Sequence, residues 1–287
     1  AQTGFQGGFQ SNLWQAAGNL LGLGLVLLAI SFRGGLPWLV AGLAGGPLLA
    51  TAMNFGFYFF NQNPSLRPSF RLFDRKVARS LLRVGVLFLV LQVAGSFAMS
   101  SDNFILASRL GADSVAELAV PARLFLIIAS IGAIVTTPLW PAYGEAFARG
   151  DTRWVAATLK RSLLTMFLYS MVASIGLLIF GEAILKAWVG DSVRPSMSLM
   201  LALAVWTVLS TVGHALAMFM NGVQIIRLQV YSASAFAVAG FLLKWLLATN
   251  YGGAGLICGG IIAFVSTTAV PYALLLPGRT SRMFARG

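Results

Sequence analysis

Residues 67–83 read RPSFRLFDRKVARSLLR. An arginine stands at every fourth position of this stretch, namely at Arg67, Arg71, Arg75, Arg79 and Arg83. Long apolar segments lie on both sides of it, so it forms a basic loop between two membrane-spanning segments, and such loops stay in the cytoplasm. A four-residue step drifts by about 40° on a helix, so we expect the five side chains to share one broad basic face.

The composition excludes an ordinary soluble domain. Hydrophobic residues make up 58% of the chain and charged residues only 10%, whereas about 25% is usual in soluble proteins. Apolar stretches of about 20 residues recur, each long enough to cross a hydrocarbon core of about 30 Å as a helix. The sequence therefore predicts an all-α polytopic membrane protein. The net charge of +12 does not indicate nucleic-acid binding, because many basic residues flank apolar segments.

The hydropathy pattern predicts about eight spans. They lie near 11–31, 36–60, 82–108, 116–141, 160–187, 197–220, 226–248 and 254–276. If the arginine loop is cytoplasmic, the other loops on that side carry mainly basic residues, whereas acidic residues accompany the basic ones in the opposite loops. We expect both ends of this chain to be cytoplasmic.

An internal repeat is predicted from two glycine-rich helix starts. Gly34-Gly35 opens the second span and Gly252-Gly253 opens the last, an offset of 218 residues (252 − 34). At this offset the first span falls on the seventh, and both pairs run in the same direction. This is typical of parallel transporter repeats. We expect residues 1–62 to end an incomplete N-terminal bundle, 63–80 to form a basic cytoplasmic linker, and 81–287 to form a six-helix bundle with a basic tail. Such a transporter has about twelve helices.

Charged residues at membrane depth indicate a functional site. Asp102 and Arg123 are each predicted about 10 Å from the same end of neighbouring antiparallel helices, where they can pair. One interpretation is a structural ion pair, or an arginine that reaches the headgroups. The other is that Arg123 meets an anionic substrate in a water-filled cavity while Asp102 holds its geometry.

Other polar residues in the spans are weaker candidates. Lys244 is close enough to a helix end to snorkel to the surface, or else it contacts substrate. His214 is expected to bond a neighbouring helix or to relay protons. The amides are expected to line a cavity or to bond between helices, and they are Asn54, Gln92, Asn103 and Asn221.

The end of the fourth span is a candidate gate. Pro138 and Pro141 interrupt the helical hydrogen bonds, and Trp140 and Tyr143 are predicted at the cytoplasmic interface. The alternative is a kinked helix end with an aromatic belt. The five arginines of residues 67–83 likewise have two interpretations. They either anchor the protein to anionic headgroups or attract a lipid-linked anionic substrate.

The sequence shows no enzyme signature. It has no glycine-rich phosphate loop followed by Lys-Ser/Thr, and one His and one Cys do not make the usual zinc sites. We therefore expect no catalytic residue, no metal and no cofactor.

Three stretches resemble a known family. The first is Gln6-Gly7-Gly8-Phe9-Gln10-Ser11-Asn12-Leu13-Trp14. The second runs from Asp102-Asn103-Phe104-Ile105-Leu106 through Leu110-Gly111 and Val115 to Ala122-Arg123-Leu124-Phe125. The third is Pro138-Leu139-Trp140-Pro141-Ala142-Tyr143, followed by Ala146, Arg149, Gly150 and Asp151. Together they resemble the Wzx-type polysaccharide or O-antigen flippases of the multidrug and oligosaccharidyl-lipid exporter superfamily. Val120 departs from the tyrosine often found there, so the resemblance implies no aromatic contact at that position.

The resemblance implies a function and its partners. Such proteins move an undecaprenyl-pyrophosphate-linked glycan across the bacterial cytoplasmic (inner) membrane, and cationic cavity residues handle the anionic groups, which Arg123 matches best. The expected partners are this lipid-linked glycan, anionic phospholipids and a polysaccharide polymerase or ligase. The alternatives are a cation-coupled drug or metabolite antiporter of the same superfamily, or a non-transporting membrane scaffold in a glycan assembly complex.

Overall fold

The computed structural model describes residues 8–67, 69, 74–190 and 194–284, and its ordered elements in these ranges are helices, with no strand. The chain divides into two compact units, Ala1–Ala78 and Arg79–Gly287. Among the described residues, seven segments are long and apolar enough to cross a membrane. The last of them, Ile226–Leu276, contains a sharp break at Gly252 and so makes two crossings. The prediction of an all-α polytopic membrane protein with about eight spans is confirmed.

The first unit is a helical hairpin held together by glycines. Helix α1 (Gly8–Ser31) and helix α2 (Leu36–Gly56) are joined by a short turn in which Arg33 has φ of 52°. A Cβ added at Gly46 would lie 2.2 Å from the backbone nitrogen of Gly22, so the two backbones touch. Small residues give membrane helices this close approach, which maximises van der Waals contact where no hydrophobic effect operates between helices.

Arg67 is bound within the first unit. Helix α2 continues as a π-helix, Phe57–Gln62, and a short turn, Pro64–Leu66, follows. Arg67 donates hydrogen bonds of 3.4 and 3.3 Å to the carbonyls of Phe59 and Phe60, and its guanidinium lies 5.0 Å over the Phe60 ring. A cation at a helix C-terminus satisfies free carbonyls and complements the helix dipole.

The prediction of one basic face for five arginines is therefore wrong. Arg67 lies before the next helix, and its side chain binds carbonyls at the end of the previous one. Arg71 lies outside the described residues. Among the described arginines of this stretch, Arg75, Arg79 and Arg83 share a helix, whereas Arg67 lies outside it. Helical periodicity therefore does not relate the Arg67 side chain to the other three.

The second unit contains the remaining helices. They are α3 (Arg75–Leu110), which begins at the end of the first unit, α4 (Ala112–Thr136), α5 (Leu139–Ala148), α6 (Thr152–Val189), α7 (Met197–Gly222), α8 (Ile226–Phe264) and α9 (Val270–Phe284), with a π-helix, Val265–Ala269, between the last two. Side-chain caps start three of them: Asp74 accepts from the Lys76 amide at 2.6 Å, Asp151 accepts from the Trp154 amide at 3.0 Å, and Ser196 accepts from the Leu199 amide at 3.3 Å.

Helix α7 is the centre of the second unit, because α4, α5, α6 and α8 all pack on it. Two apolar clusters form along it. The first includes Ile105, Leu106, Phe125, Leu203 and Leu256. The second includes Tyr143, Val155, Phe219, Met220 and Leu276. Both clusters bury aliphatic and aromatic side chains from several helices, which fixes the positions of those helices relative to one another.

Helix α8 is a hairpin with almost no loop. Gly252 has φ of 61° and ψ of −145°, a conformation that a residue with a Cβ rarely adopts. The second arm returns along the first: a Cβ at Gly255 would lie 2.2 Å from the Leu247 carbonyl oxygen, and one at Gly259 would lie 2.7 Å from the Lys244 nitrogen. Two antiparallel membrane-crossing arms thus pack backbone to backbone.

Candidate functional site

A buried ion pair links α3 to the first arm of α8. The Lys244 ammonium lies 2.6 Å from Asp102 Oδ1 and also donates a 3.2 Å hydrogen bond to the Ala98 carbonyl. The Lys244 side chain is only 6% exposed, whereas that of Asp102 is 26% exposed. The lysine is therefore sealed in the protein, and the carboxylate is the accessible member of the pair.

The two helices bring these residues to the same depth. Asp102 precedes the Leu110 end of α3 by eight residues and Lys244 precedes the Gly252 turn by eight, which is about 12 Å in each case. The helices run parallel here, because Phe97 contacts the Phe241 ring at 5.8 Å and Phe104 contacts Trp245 further along at 6.3 Å.

Aromatic rings surround the ion pair. The Lys244 ammonium lies 5.8 Å from the Phe236 ring, which stacks on Trp206 of α7 at 6.1 Å. Nearer the Leu110 end of α3, the Arg109 guanidinium lies 4.0 Å over the Trp245 ring. These contacts are favourable for cations in a poorly hydrated site.

The burial of this pair makes it a candidate functional site. Removing two charges from water costs several kcal/mol per ion, and well-packed apolar residues often replace such pairs without loss of stability. Within the bilayer, ionisable residues usually mark a transport pathway or binding site. Among the described residues no three His, Cys, Asp or Glu side chains are grouped to hold a metal ion.

Comparison with known proteins places the chain in a family. The sequence pattern of the polysaccharide biosynthesis protein family matches residues 17–198, more than half of the chain. The chain belongs to the polysaccharide biosynthesis protein family. No curated protein and no solved structure matches it. The matched region contains Asp102 but ends before Lys244, so only one residue of the ion pair lies within it.

In this polysaccharide biosynthesis protein the predicted pairing of Asp102 with Arg123 is wrong. The partner of Asp102 is Lys244, 142 residues away in sequence, and Arg123 is exposed on α4. Arg123 is about 200° around the helix from Pro121 and Phe125, which are buried. It lies about 17 Å from the start of α4, because that helix begins earlier than predicted.

The prediction that Lys244 snorkels is also wrong. Its stem does not extend to a surface; the residue is 5% exposed and its ammonium is held between α3 and α8. A carboxylate and a carbonyl at the same depth provide the ligands that the ammonium would otherwise seek among headgroups and water. Sequence spacing alone did not reveal this, because the partner is on another helix.

The predicted amides have different surroundings. Asn103 and Gln92 are exposed on α3, and Asn54 is partly buried in the first unit. Asn221 accepts a 2.8 Å hydrogen bond from Gln229, so it joins the end of α7 to the start of α8. Gln229 was not among the predicted residues, although an amide inside the span predicted at 226–248 is a signal for such a bond.

The residues of the candidate gate have two kinds of surroundings. The prolines lie at or beside a helix break, whereas Tyr143 lies in the packed core. Helix α4 ends at Thr136 and α5 begins at Leu139, so the proline segment does interrupt the helix. Trp140 is 38% exposed and stacks on Phe88 at 5.7 Å. Tyr143 is fully buried, and its hydroxyl is 3.1 Å from Ser162 Oγ. The aromatic-belt interpretation therefore does not fit Tyr143. Pro138 and Pro141 are exposed beside it.

Three polar atoms of the described residues are buried without a hydrogen-bond partner. They are Ser174 Oγ, Thr211 Oγ1 and His214 Nε2. The expected bond from this nitrogen of His214 to a neighbouring helix is thus not formed. A Cβ at Gly132 would lie 2.7 Å from the Thr211 methyl group, so tight packing of α4 on α7 fixes that threonine.

Proposed function

We propose that this protein is a Wzx-type flippase, not an enzyme, which moves a polyprenyl-pyrophosphate-linked oligosaccharide across the bacterial cytoplasmic membrane by alternating access. The observation that carries the proposal is the buried Asp102–Lys244 ion pair at membrane depth. Membership of a polysaccharide biosynthesis family supports the substrate class. Lys244 is buried and its counter-ion Asp102 is partly exposed, so we propose that an oxyanion of the substrate replaces the Asp102 carboxylate on the lysine.

The exchange has a simple physical basis. Charge-assisted hydrogen bonds from an ammonium to carboxylate or phosphate oxygens are short and similar in kind. A pyrophosphate oxygen can therefore replace Asp102 on Lys244, which keeps the buried lysine charge paired. The displaced Asp102, whose side chain is 26% exposed, then takes up a proton, so that two anions do not share one cation. The Ala98 carbonyl keeps the ammonium in place during the exchange.

The two hairpins support a transporter built from parallel repeats. Gly22 and Gly42 of the first hairpin correspond to Gly240 and Gly260 of α8 at the offset of 218 residues. A Cβ at Gly42 would lie 3.1 Å from the nitrogen of Val26, and one at Gly260 would lie 3.0 Å from Cε of Lys244. The backbone contact that corresponds to that of Gly42 is made by Gly259, whose Cβ would lie 2.7 Å from the Lys244 nitrogen, so the registers of the two hairpins differ by one residue at this offset. Both hairpins nevertheless pack through glycines at closely similar positions, which supports the proposed repeat. In the proposed transporter each hairpin forms the last two helices of a bundle of about six helices.

Arg123 and the arginines of α3 complete the proposal. A charged residue at membrane depth faces a protein interior or a water-filled cavity, so the exposed side of α4 with Arg123 is proposed to line the substrate cavity. Arg75, Arg79 and Arg83 are exposed near the start of α3, and we assign them to anionic phospholipids at the cytoplasmic surface. A polysaccharide polymerase or ligase would take the translocated glycan, and both chain ends would be cytoplasmic.

The test uses the full-length protein in proteoliposomes with a fluorescent polyprenyl-pyrophosphate glycan. Lys244→Met is expected to abolish translocation, whereas the exposed control Lys160→Met is expected to retain it. Arg123→Ala is expected to weaken substrate binding. Because Lys244→Met leaves Asp102 unpaired, the double variant Asp102→Asn/Lys244→Met is included as a folded reference. Wild-type translocation by that double variant would contradict the proposal.

A cation-coupled antiporter is the second candidate, and Asp102 favours it. That mechanism requires a carboxylate at membrane depth that a cation can reach, and the Asp102 side chain is 26% exposed. In the same vesicles, a proton or sodium gradient would then drive export of a small cationic drug, and Asp102→Asn would stop it. Such export without glycan translocation would favour the antiporter over the flippase.

A further inference from the structure

The second arm of α8 lies directly behind Lys244. A Cβ at Gly259 would lie 2.7 Å from the Lys244 backbone nitrogen, so the two arms touch at this level. At the next residue, Gly260, a Cβ would lie 3.0 Å from Lys244 Cε and 3.9 Å from its Nζ. The lysine stem thus runs across the surface of a glycine, and the Cε methylene that carries the ammonium is the part nearest to an added methyl group.

We propose that Gly260 is a positioning residue for Lys244. Its missing side chain leaves the volume in which the lysine stem lies, and this directs the ammonium to Asp102 and the Ala98 carbonyl on α3. A lysine about 12 Å from a helix end has another option, which is to extend along the helix toward the surface. The space beside Gly260 allows the Lys244 side chain to adopt the conformation in which its ammonium reaches Asp102.

The neighbouring contacts show why this position is specific. Gly259 faces backbone atoms of Leu243 and Lys244, so its role is the approach of the two arms. Gly240, on the first arm one turn before Lys244, has its closest neighbours at 3.7 and 3.8 Å, which is ordinary van der Waals contact. Only Gly260 of these three has the lysine stem as its nearest neighbour.

This inference deepens the proposed function and rests on it for its biological meaning. If Lys244 binds the anionic group of the substrate, the second arm of α8 sets where that cation stands. Closer or looser packing of the arms then moves the binding group without any change in its chemistry. The geometric part, in contrast, does not depend on the identity of the substrate.

The test measures the ion pair directly. Reaction of Asp102 with dicyclohexylcarbodiimide is followed by mass spectrometry in the full-length protein in proteoliposomes, since a carboxylate bound to Lys244 is protected. Lys244→Ala is expected to give the maximal labelling. Gly260→Ala is expected to raise labelling toward that level, Gly260→Val to reach it, and the matched control Gly240→Ala to stay at the wild-type level.

A double-variant comparison separates positioning from packing. In the Lys244→Ala background the lysine stem is gone, so adding Gly260→Ala is expected to leave labelling unchanged and to improve thermal stability by filling the empty volume. Wild-type labelling in Gly260→Ala, or an equal additional rise in the Lys244→Ala background, would overturn the inference. If Gly260→Ala does not fold, folding of the double variant supports the inference and its failure to fold contradicts it.

Glycan translocation measured on the same samples tests the proposed function separately. Raised Asp102 labelling with reduced translocation in Gly260→Ala supports both proposals. Raised labelling with wild-type translocation supports the positioning role and contradicts the assignment of Lys244 to substrate binding.

Discussion

At the scale of single residues, the role of a charged side chain depends on the groups that surround it. Lys244 is held by a carboxylate, a carbonyl and an aromatic ring from two helices. Arg67, in contrast, binds the carbonyls at the end of α2 and lies over an aromatic ring. Both residues have the same formal charge, but only Lys244 is buried at membrane depth, so their roles differ because of their neighbours.

Tyr143 gives a prediction at this scale. Its hydroxyl bonds Ser162, and its ring meets Phe219 edge-on at 5.5 Å, so it belongs to the core. Tyr143→Phe is expected to cost only about 1 kcal/mol and to retain transport, because the ring contacts remain. Tyr143→Ala is expected to cost about 3–5 kcal/mol through the cavity that it leaves. Thermal unfolding in detergent measures both. Loss of transport in a stable Tyr143→Phe variant would instead indicate a gating role for the hydroxyl.

At the scale of elements, close glycine contacts determine which helices pair. The α1–α2 hairpin, the α8 hairpin and the crossing of α5 with α7 all depend on backbone approach. In the last case a Cβ at Gly222 would lie 2.5 Å from Tyr143 Cβ and 2.8 Å from the Trp140 carbonyl oxygen. Helix α5 is thereby fixed to α7, while the break before Leu139 separates it from α4. A change in the angle between α4 and α5 would then occur at that break.

Two adjacent glycines provide the element-scale prediction. A Cβ at Gly46 would lie 2.2 Å from Gly22, whereas a Cβ at Gly45 would have nothing within 4 Å. Gly46→Leu is expected to separate α1 from α2 and to lower the thermal stability of the protein, because the backbones can no longer touch. Gly45→Leu differs by one position on the same helix and is expected to be tolerated. Equal stability of the two variants would mean that this hairpin does not depend on the glycine contact.

At the scale of the whole molecule, the positions of basic residues predict how the helices cross the membrane. Each of the two units contains an antiparallel hairpin whose arms touch at glycines. Two candidate crossings among the described residues, Arg75–Arg109 and Glu117–Ala148, separate the basic residues near 75–83 from those near 149–161, which predicts that both basic groups lie on the same side of the membrane. The orientation itself stays a prediction.

Cysteine labelling tests that orientation. Cys258 is exposed and is first replaced by Ala. Arg153→Cys at the start of α6 is then expected to react with a membrane-impermeant maleimide only from the cytoplasmic side. Met197→Cys at the start of α7 is expected to react only from the opposite side, because α6 crosses the membrane between them. The reverse pattern would contradict the assignment of the arginine loop to the cytoplasm.

The sequence by itself determined the class of the protein and the approximate limits of its helices, because the length and hydropathy needed to cross a bilayer are local properties. It also identified Asp102, Arg123 and Lys244 as unusual, because a charge at membrane depth is visible in the sequence. Only the tertiary structure decided the partners. Pairing of Asp102 with Lys244, the space beside Gly260 and the burial of Tyr143 all depend on which helices lie side by side. That arrangement follows from backbone contacts between distant segments, which no local pattern specifies.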